Sequence, residues 1–172
     1  IEQILALYET KLIRVKDDFS KNRGIVQTRS GDGLRETKER FKETPEVGLP
    51  LTMPKLTTLY RGQRLKKLYL ESSAQGVGKS RRMAAESAHL AVPKIFDVER
   101  NVWKTTNLCE SVLYISTELE LEEVQTMWLA YVSGVPEHKI LNGNYGPGEE
   151  QRVDIAVELL EQANLYFVQI SN

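Results

Sequence analysis

Ser73-Ala74-Gln75-Gly76-Val77-Gly78-Lys79-Ser80 is the stretch on which the reading of this chain turns. It fits the phosphate-binding P-loop pattern, Gly-x-x-x-x-Gly-Lys-Ser/Thr, except that serine stands at the first position. Glycines let the backbone turn successive N–H groups inward around a phosphate, and a helix starting near Gly78 adds the positive end of its dipole. In that arrangement Lys79 bridges the outer phosphates and the Ser80 hydroxyl ligates Mg²⁺. Ser73 through Ser80, with Arg81 following on the helix, are the expected nucleotide-binding residues, and ATP and Mg²⁺ the expected cofactors. The competing reading is a glycine-rich turn before a helix. The flanks favour the P-loop: residues 65 to 71 alternate and then run apolar, as a first strand does, and residues 79 to 90 form a helix rich in small side chains.

Working outward, residues 111 to 117 read as a second, buried strand. Residues 122 to 133 read as a helix that turns Val124, Met127, Trp128 and Tyr131 inward and ends at Gly134. Pro136 begins a further helical turn, residues 142 to 148 form a glycine-bearing loop, residues 149 to 163 another helix, and residues 165 to 170 a third strand. Residues 94 to 105 alternate around Glu99-Arg100-Asn101, the pattern of an exposed hairpin inserted between core elements. Strands alternating with helices predict an α/β fold with a mainly parallel sheet covered by helices on both faces. Toward the start, Ile1, Ile4, Leu5, Tyr8, Leu12, Val15 and Phe19 lie on one stripe of an amphipathic helix. Residues 20 to 33 read as a flexible linker and residues 34 to 43 as a short charged helix. Prolines at 45, 50 and 54 interrupt regular structure, which divides the chain into a linker region, 1 to 45, and a core, 46 to 172.

Composition excludes several classes. With a net charge of -1 over 172 residues and 41% hydrophobic residues, the chain is an ordinary globular sequence rather than a strongly basic one. No apolar run approaches the roughly 18 residues of a membrane span. Cys109 is the only cysteine, so no internal disulfide forms and a reducing cytoplasm is expected. His89 and His138 are far apart, with no cysteine cluster beside them. Between residues 21 and 42 the basic residues interleave with Asp32, Glu36 and Glu39, as on a solvated face. Trp103, Trp128 and Tyr145 could stack on bases, although Trp128 falls on an inward helical face.

Glu118 is the candidate catalytic carboxylate. It ends the apolar run of the second strand, and open α/β sheets bind ligands at the carboxyl ends of parallel strands, where a carboxylate can orient an attacking water. The alternative is a helix-start acid, since Glu118, Glu120, Glu122 and Glu123 crowd the next helix where its dipole favours negative charge. On spacing alone the two stand equal.

At this point the chain resembles the RecA-like motor domain of DnaB-type replicative DNA helicases. The likeness rests on Gly48-Leu49-Pro50, the amphipathic stretch from Leu56 to Tyr60, the Arg61-Gly62 turn, Leu68-Tyr69-Leu70 before the P-loop, and Ser116-Thr117-Glu118-Leu119 after the second strand. That family often carries a small residue other than glycine at the first P-loop position. The resemblance implies that Glu118 is the catalytic base. It further implies that residues 1 to 19 dock on a neighbouring subunit of a ring, as a hexamer, and that the full-length protein couples ATP hydrolysis to unwinding along single-stranded DNA. Residues 94 to 110 depart from the family as an insertion. The Walker B aspartate strand, the arginine finger and the DNA-binding loops have no counterpart before Asn172, so the chain is expected to be a piece cut ahead of Walker B and inactive alone. Two other functions stay open: a RecA-like recombination-mediator module that oligomerises without unwinding DNA, and an assembly module that binds no nucleotide.

Overall fold

Residues 31 to 170 are described by a computed structural model, and the chain divides between Pro45 and Glu46 into two units. The helix expected over residues 1 to 19 lies outside the described residues. In the first unit, helix α1 (Leu34–Glu43) has the bounds its charge pattern suggested. Glu39 sits 3.8 Å from both Lys38 and Lys42, and the Arg40 guanidinium lies 5.0 Å over the Phe41 ring.

The second unit runs α2 (Pro54–Tyr60), α3 (Lys79–Ala91), β1 (Lys94–Asp97), β2 (Val102–Thr105), β3 (Val112–Ser116), α4 (Leu121–Ser133), α5 (Glu137–Asn142), α6 (Glu149–Glu161) and β4 (Leu165–Gln169). Its core forms where α3 turns small residues to α4. Ala84 and Ala88 are fully buried, and small side chains at a helix contact let the two axes approach. Trp128 from α4 fills the space beside them. Its Nε1 donates to Ser87 Oγ at 2.9 Å, and its ring meets Tyr114 of β3 edge-on at 6.0 Å. Val92, Val124, Val132, Ala156 and Leu159 complete this cluster, with Met127 and Tyr131 packed against it.

Two small sheets result. β3 and β4 pair in parallel with Tyr114 opposite Phe167, and those two rings stack at 6.1 Å. β1 and β2 form the expected antiparallel hairpin, with Asn101 left-handed near its tip. The hairpin is anchored rather than wholly exposed. Phe96 meets Trp103 edge-on at 5.5 Å, and the Arg152 guanidinium of α6 lies 4.3 Å over Phe96. Trp103 is therefore held by a structural contact.

Three expectations need correction. First, residues 65 to 71 form no strand. Tyr69 folds back so that its hydroxyl donates to the Gly62 carbonyl and accepts from Arg64 N–H, and Lys66 is left-handed. A non-glycine residue at positive φ cannot continue an extended ladder. Leu65, Leu68 and Leu70 stay about nine-tenths exposed (89%, 93% and 92%). Second, helices cover only one face of the β3–β4 sheet. Leu113, Ile115, Tyr166 and Val168 on the other face are exposed, because the described residues supply no second layer of the kind a parallel sheet ordinarily buries itself against. Third, Pro54 starts a helix instead of breaking one. It occupies the first turn of α2, where its missing N–H costs no intrahelical bond.

A close backbone approach organises the segment ahead of the glycine loop. Gly48 N–H donates to the Arg61 carbonyl at 2.8 Å, and Leu49 bridges Gln63 in antiparallel fashion. A Cβ on Gly48 would lie 2.2 Å from the Gln63 backbone, and backbone cannot swing aside as a side chain can. Gly48→Ala should therefore break this pairing at a cost of about 1–3 kcal/mol. Amide exchange at Leu49 and Gln63 should become fast, and retained protection of both would contradict the contact. No helix among the described residues is long and apolar enough to cross a membrane.

Candidate functional site

The loop before α3 has the backbone its glycines suggested. Gly76 has φ of 79° and Gly78 of 94°, while Val77 between them is not left-handed. Left-handed positions are one requirement of the nest geometry that receives anions. A Cβ at either glycine would touch nothing within 4 Å, so conformation rather than space demands glycine there. Gly78 is also the N-cap of α3, and no side chain caps this helix. Its first-turn N–H groups therefore keep the donor capacity that a helix start leaves over.

Around that loop, Ser73 to Val77 and Lys79 are exposed, while Gly78 and Ser80 are half-buried. Lys79 has no ion-pair partner among the described residues, and the Ser80 hydroxyl has no hydrogen bond there. Arg81 is engaged elsewhere. Its Nε donates to Glu137 of α5 at 2.8 Å, and a second guanidinium nitrogen reaches the same carboxylate at 3.4 Å. The hydrogen bond first, and the charge second, raise the Arg81 pKa above its already high ordinary value.

Glu118 is exposed just beyond β3. Its corner is shaped by Ser116, whose hydroxyl donates to the Leu119 carbonyl at 2.7 Å and accepts from the N–H groups of Glu118 and Leu119. The helix-start role falls to other acids: Glu120 is the N-cap of α4 and forms a capping box with Glu123. That leaves Glu118 outside the cap.

A hydrogen bond ties the end of α3 to the approach to β3. The Leu90 carbonyl at the end of α3 accepts from Glu110 N–H, just before β3 begins. Three residues earlier on the helix, Ser87 is joined through Trp128 to Tyr114 at the centre of the strand.

Several charged contacts near this region were not legible beforehand. Arg82 donates to Glu71 at 2.7 Å and lies 4.0 Å from Glu86. Glu86 is buried and accepts from both the N–H and the hydroxyl of Thr52. Only the four-residue spacing of Arg82 and Glu86 could have pointed to any of this. At the start of α6, Glu149 accepts from Lys139 Nζ of α5 at 2.9 Å and from Gly146 N–H at 2.6 Å, and both contacts hold its carboxyl below the usual range.

Other hollows lie away from the glycine loop. An apolar one of about 570 Å³ opens between α4, α6 and β4, beside Leu121, Leu160 and Phe167. A more polar one of about 440 Å³ lies among Thr57, Thr58, His89, Lys104 and Tyr131. There the Tyr131 hydroxyl and His89 Nδ1 are 3.0 Å apart. Burial raises the Tyr131 pKa, and it lowers that of His89, with Glu86 opposing and Lys104 adding to the lowering. Neither hollow is lined by residues 73 to 81 or by Glu118.

Against solved structures, the chain superimposes on a DnaB-like replicative helicase, described with its interactions with primase, at a TM-score of 0.63 and 12% identity over 98% of this chain and 39% of that one. The chain thus has a distant helicase-like α/β fold. Among curated proteins it is 38% identical over 167 residues to the SPbeta prophage-derived uncharacterized protein YorI of Bacillus subtilis strain 168. That match takes in 97% of this chain and 33% of YorI, so the chain spans about a third of its relative's length. No family model matches.

Proposed function

We propose that this chain is the nucleotide-binding part of a helicase-class motor, one that couples ATP hydrolysis to movement along single-stranded DNA in a ring of subunits. The observation that carries the reading is the left-handed pair Gly76 and Gly78 at the uncapped start of α3, followed at once by Lys79 and Ser80, on a chain with a helicase-like fold. Backbone N–H groups from the loop and the first turn of α3 would hold the β-phosphate, and the Lys79 ammonium the outer phosphates. Mg²⁺ would neutralise phosphate charge, and the free hydroxyl of Ser80 is the side chain placed to hold it. Glu118, just beyond the end of β3, would orient the attacking water. The residues suit such a group: left-handed glycines at an uncapped helix start, an ammonium and a hydroxyl without partners among the described residues, and a carboxylate outside the cap of α4.

The test is strand displacement by the full-length protein. Unwinding that requires ATP and is lost in Lys79→Ala supports the proposal. Hydrolysis stimulated by single-stranded DNA, with no strand separation, would favour the recombination-mediator reading instead.

A further inference from the structure

The glycine loop gets no ladder support from the residues before it, because residues 65 to 71 are not in a sheet. Something else must hold the end of that segment against α3. Among the described residues, the one side-chain hydrogen bond made by residues 70 to 78 is that of Glu71 with Arg82 at 2.7 Å. Glu71 lies just before the loop and Arg82 one turn into the helix after it, so the pair joins the two ends of residues 72 to 81.

The pair is itself braced. The Arg82 Nε is buried and has no hydrogen-bond partner, and it lies 4.0 Å from a Glu86 oxygen. Glu86 is held in turn by two donors of Thr52, one of them the Thr52 N–H at 2.9 Å. A guanidinium kept with one nitrogen out of water and unsatisfied is under constraint, since that arrangement costs free energy unless its other contacts hold it. Both partners of the outer contact are about a third exposed, which makes the pair weak as a source of global stability. Its effect is local, on the loop it closes.

We infer that Arg82 and Glu71 form a clasp that positions the glycine loop for phosphate, with Glu86 and Thr52 as its brace. The inference rests on the nucleotide-binding reading of that loop. Arg82 and Glu71 touch no phosphate in this scheme. They are positioning residues, acting through the backbone of Gly76 to Gly78.

Nucleotide affinity of the full-length protein tests it, read by calorimetric titration with Mg·ADP. Arg82→Ala and Glu71→Gln should each weaken binding by about tenfold, the lower end of what supporting contacts around a site contribute. The melting temperature without nucleotide should stay unchanged in Glu71→Gln. Arg82→Lys, which keeps a positive charge between Glu71 and Glu86, should retain most of the affinity, while Arg82→Ala should not. Should Arg82→Ala fail to fold, Glu71→Gln and Arg82→Lys carry the test alone. Unchanged affinity in Glu71→Gln, with binding still lost in Lys79→Ala, would overturn the clasp and leave the phosphate site standing. Unchanged affinity in Lys79→Ala would overturn the site itself, and the clasp with it.

Discussion

Glu118→Gln in the full-length protein should bind Mg·ATP as tightly as the parent and hydrolyse it roughly a hundred- to ten-thousandfold more slowly, the range a positioned general base supplies. The substitution keeps the shape and removes the charge. It should also leave the fold intact, because Glu118 caps no helix: the Ser116 hydroxyl shapes the corner and Glu120 with Glu123 caps α4. Single-turnover hydrolysis separates the two effects, since it reads chemistry after binding is complete. Parent-like hydrolysis would remove Glu118 from the chemistry. Lost binding would instead make it part of the nucleotide cradle.

Trp128→Ala should be the most damaging single change to the core, at about 3–5 kcal/mol. The indole is 5% exposed and sits where α3, α4 and β3 meet. Removing it leaves a cavity beside Ala84 and Ala88, withdraws the donor from Ser87 Oγ and takes away the edge contact with Tyr114. Trp128→Phe keeps a six-membered ring but loses the Nε1 donor and part of the indole's volume; the hydrogen-bond share of its cost should be about 1 kcal/mol. Denaturant unfolding of both variants measures this. A cost below about 1 kcal/mol for Trp128→Ala would mean that the helix pair does not depend on this side chain.

What could be read from the amino-acid order follows the range of each interaction. The helices α3, α4 and α6 lie within two residues of their expected ends, because apolar spacing, Gly134 and the acids ahead of α4 act within a turn or two. The hairpin was legible from alternation around Glu99-Arg100-Asn101 for the same reason. Residues 65 to 71 carry an equally plain alternation, yet alternation only states which side chains seek burial. A strand also needs a partner ladder, and here the Tyr69 hydroxyl and the left-handed Lys66 bend the segment back on Gly62. Pro54 misled for a narrower reason, since one residue type both breaks helices and begins them.

The site divides along the same line. Gly76, Gly78, Lys79 and Ser80 are contiguous, so their chemistry was legible as a motif. The contacts of Arg81 with Glu137, of Glu86 with Thr52 and of His89 with Tyr131 span 56, 34 and 42 residues. No periodicity joins residues that far apart. Arg82 was the nearest miss, lying 11 residues from Glu71, across a loop whose closure depends on the fold around it.

Binding of Mg·ADP to the full-length protein, compared with Lys79→Ala, tests the central claim most directly. The parent should gain thermal stability as nucleotide is added, by about 2.7 kcal/mol at a hundredfold excess over the dissociation constant, and Lys79→Ala should gain almost none. Equal stabilisation of both proteins, or of neither, would contradict a phosphate site at the start of α3.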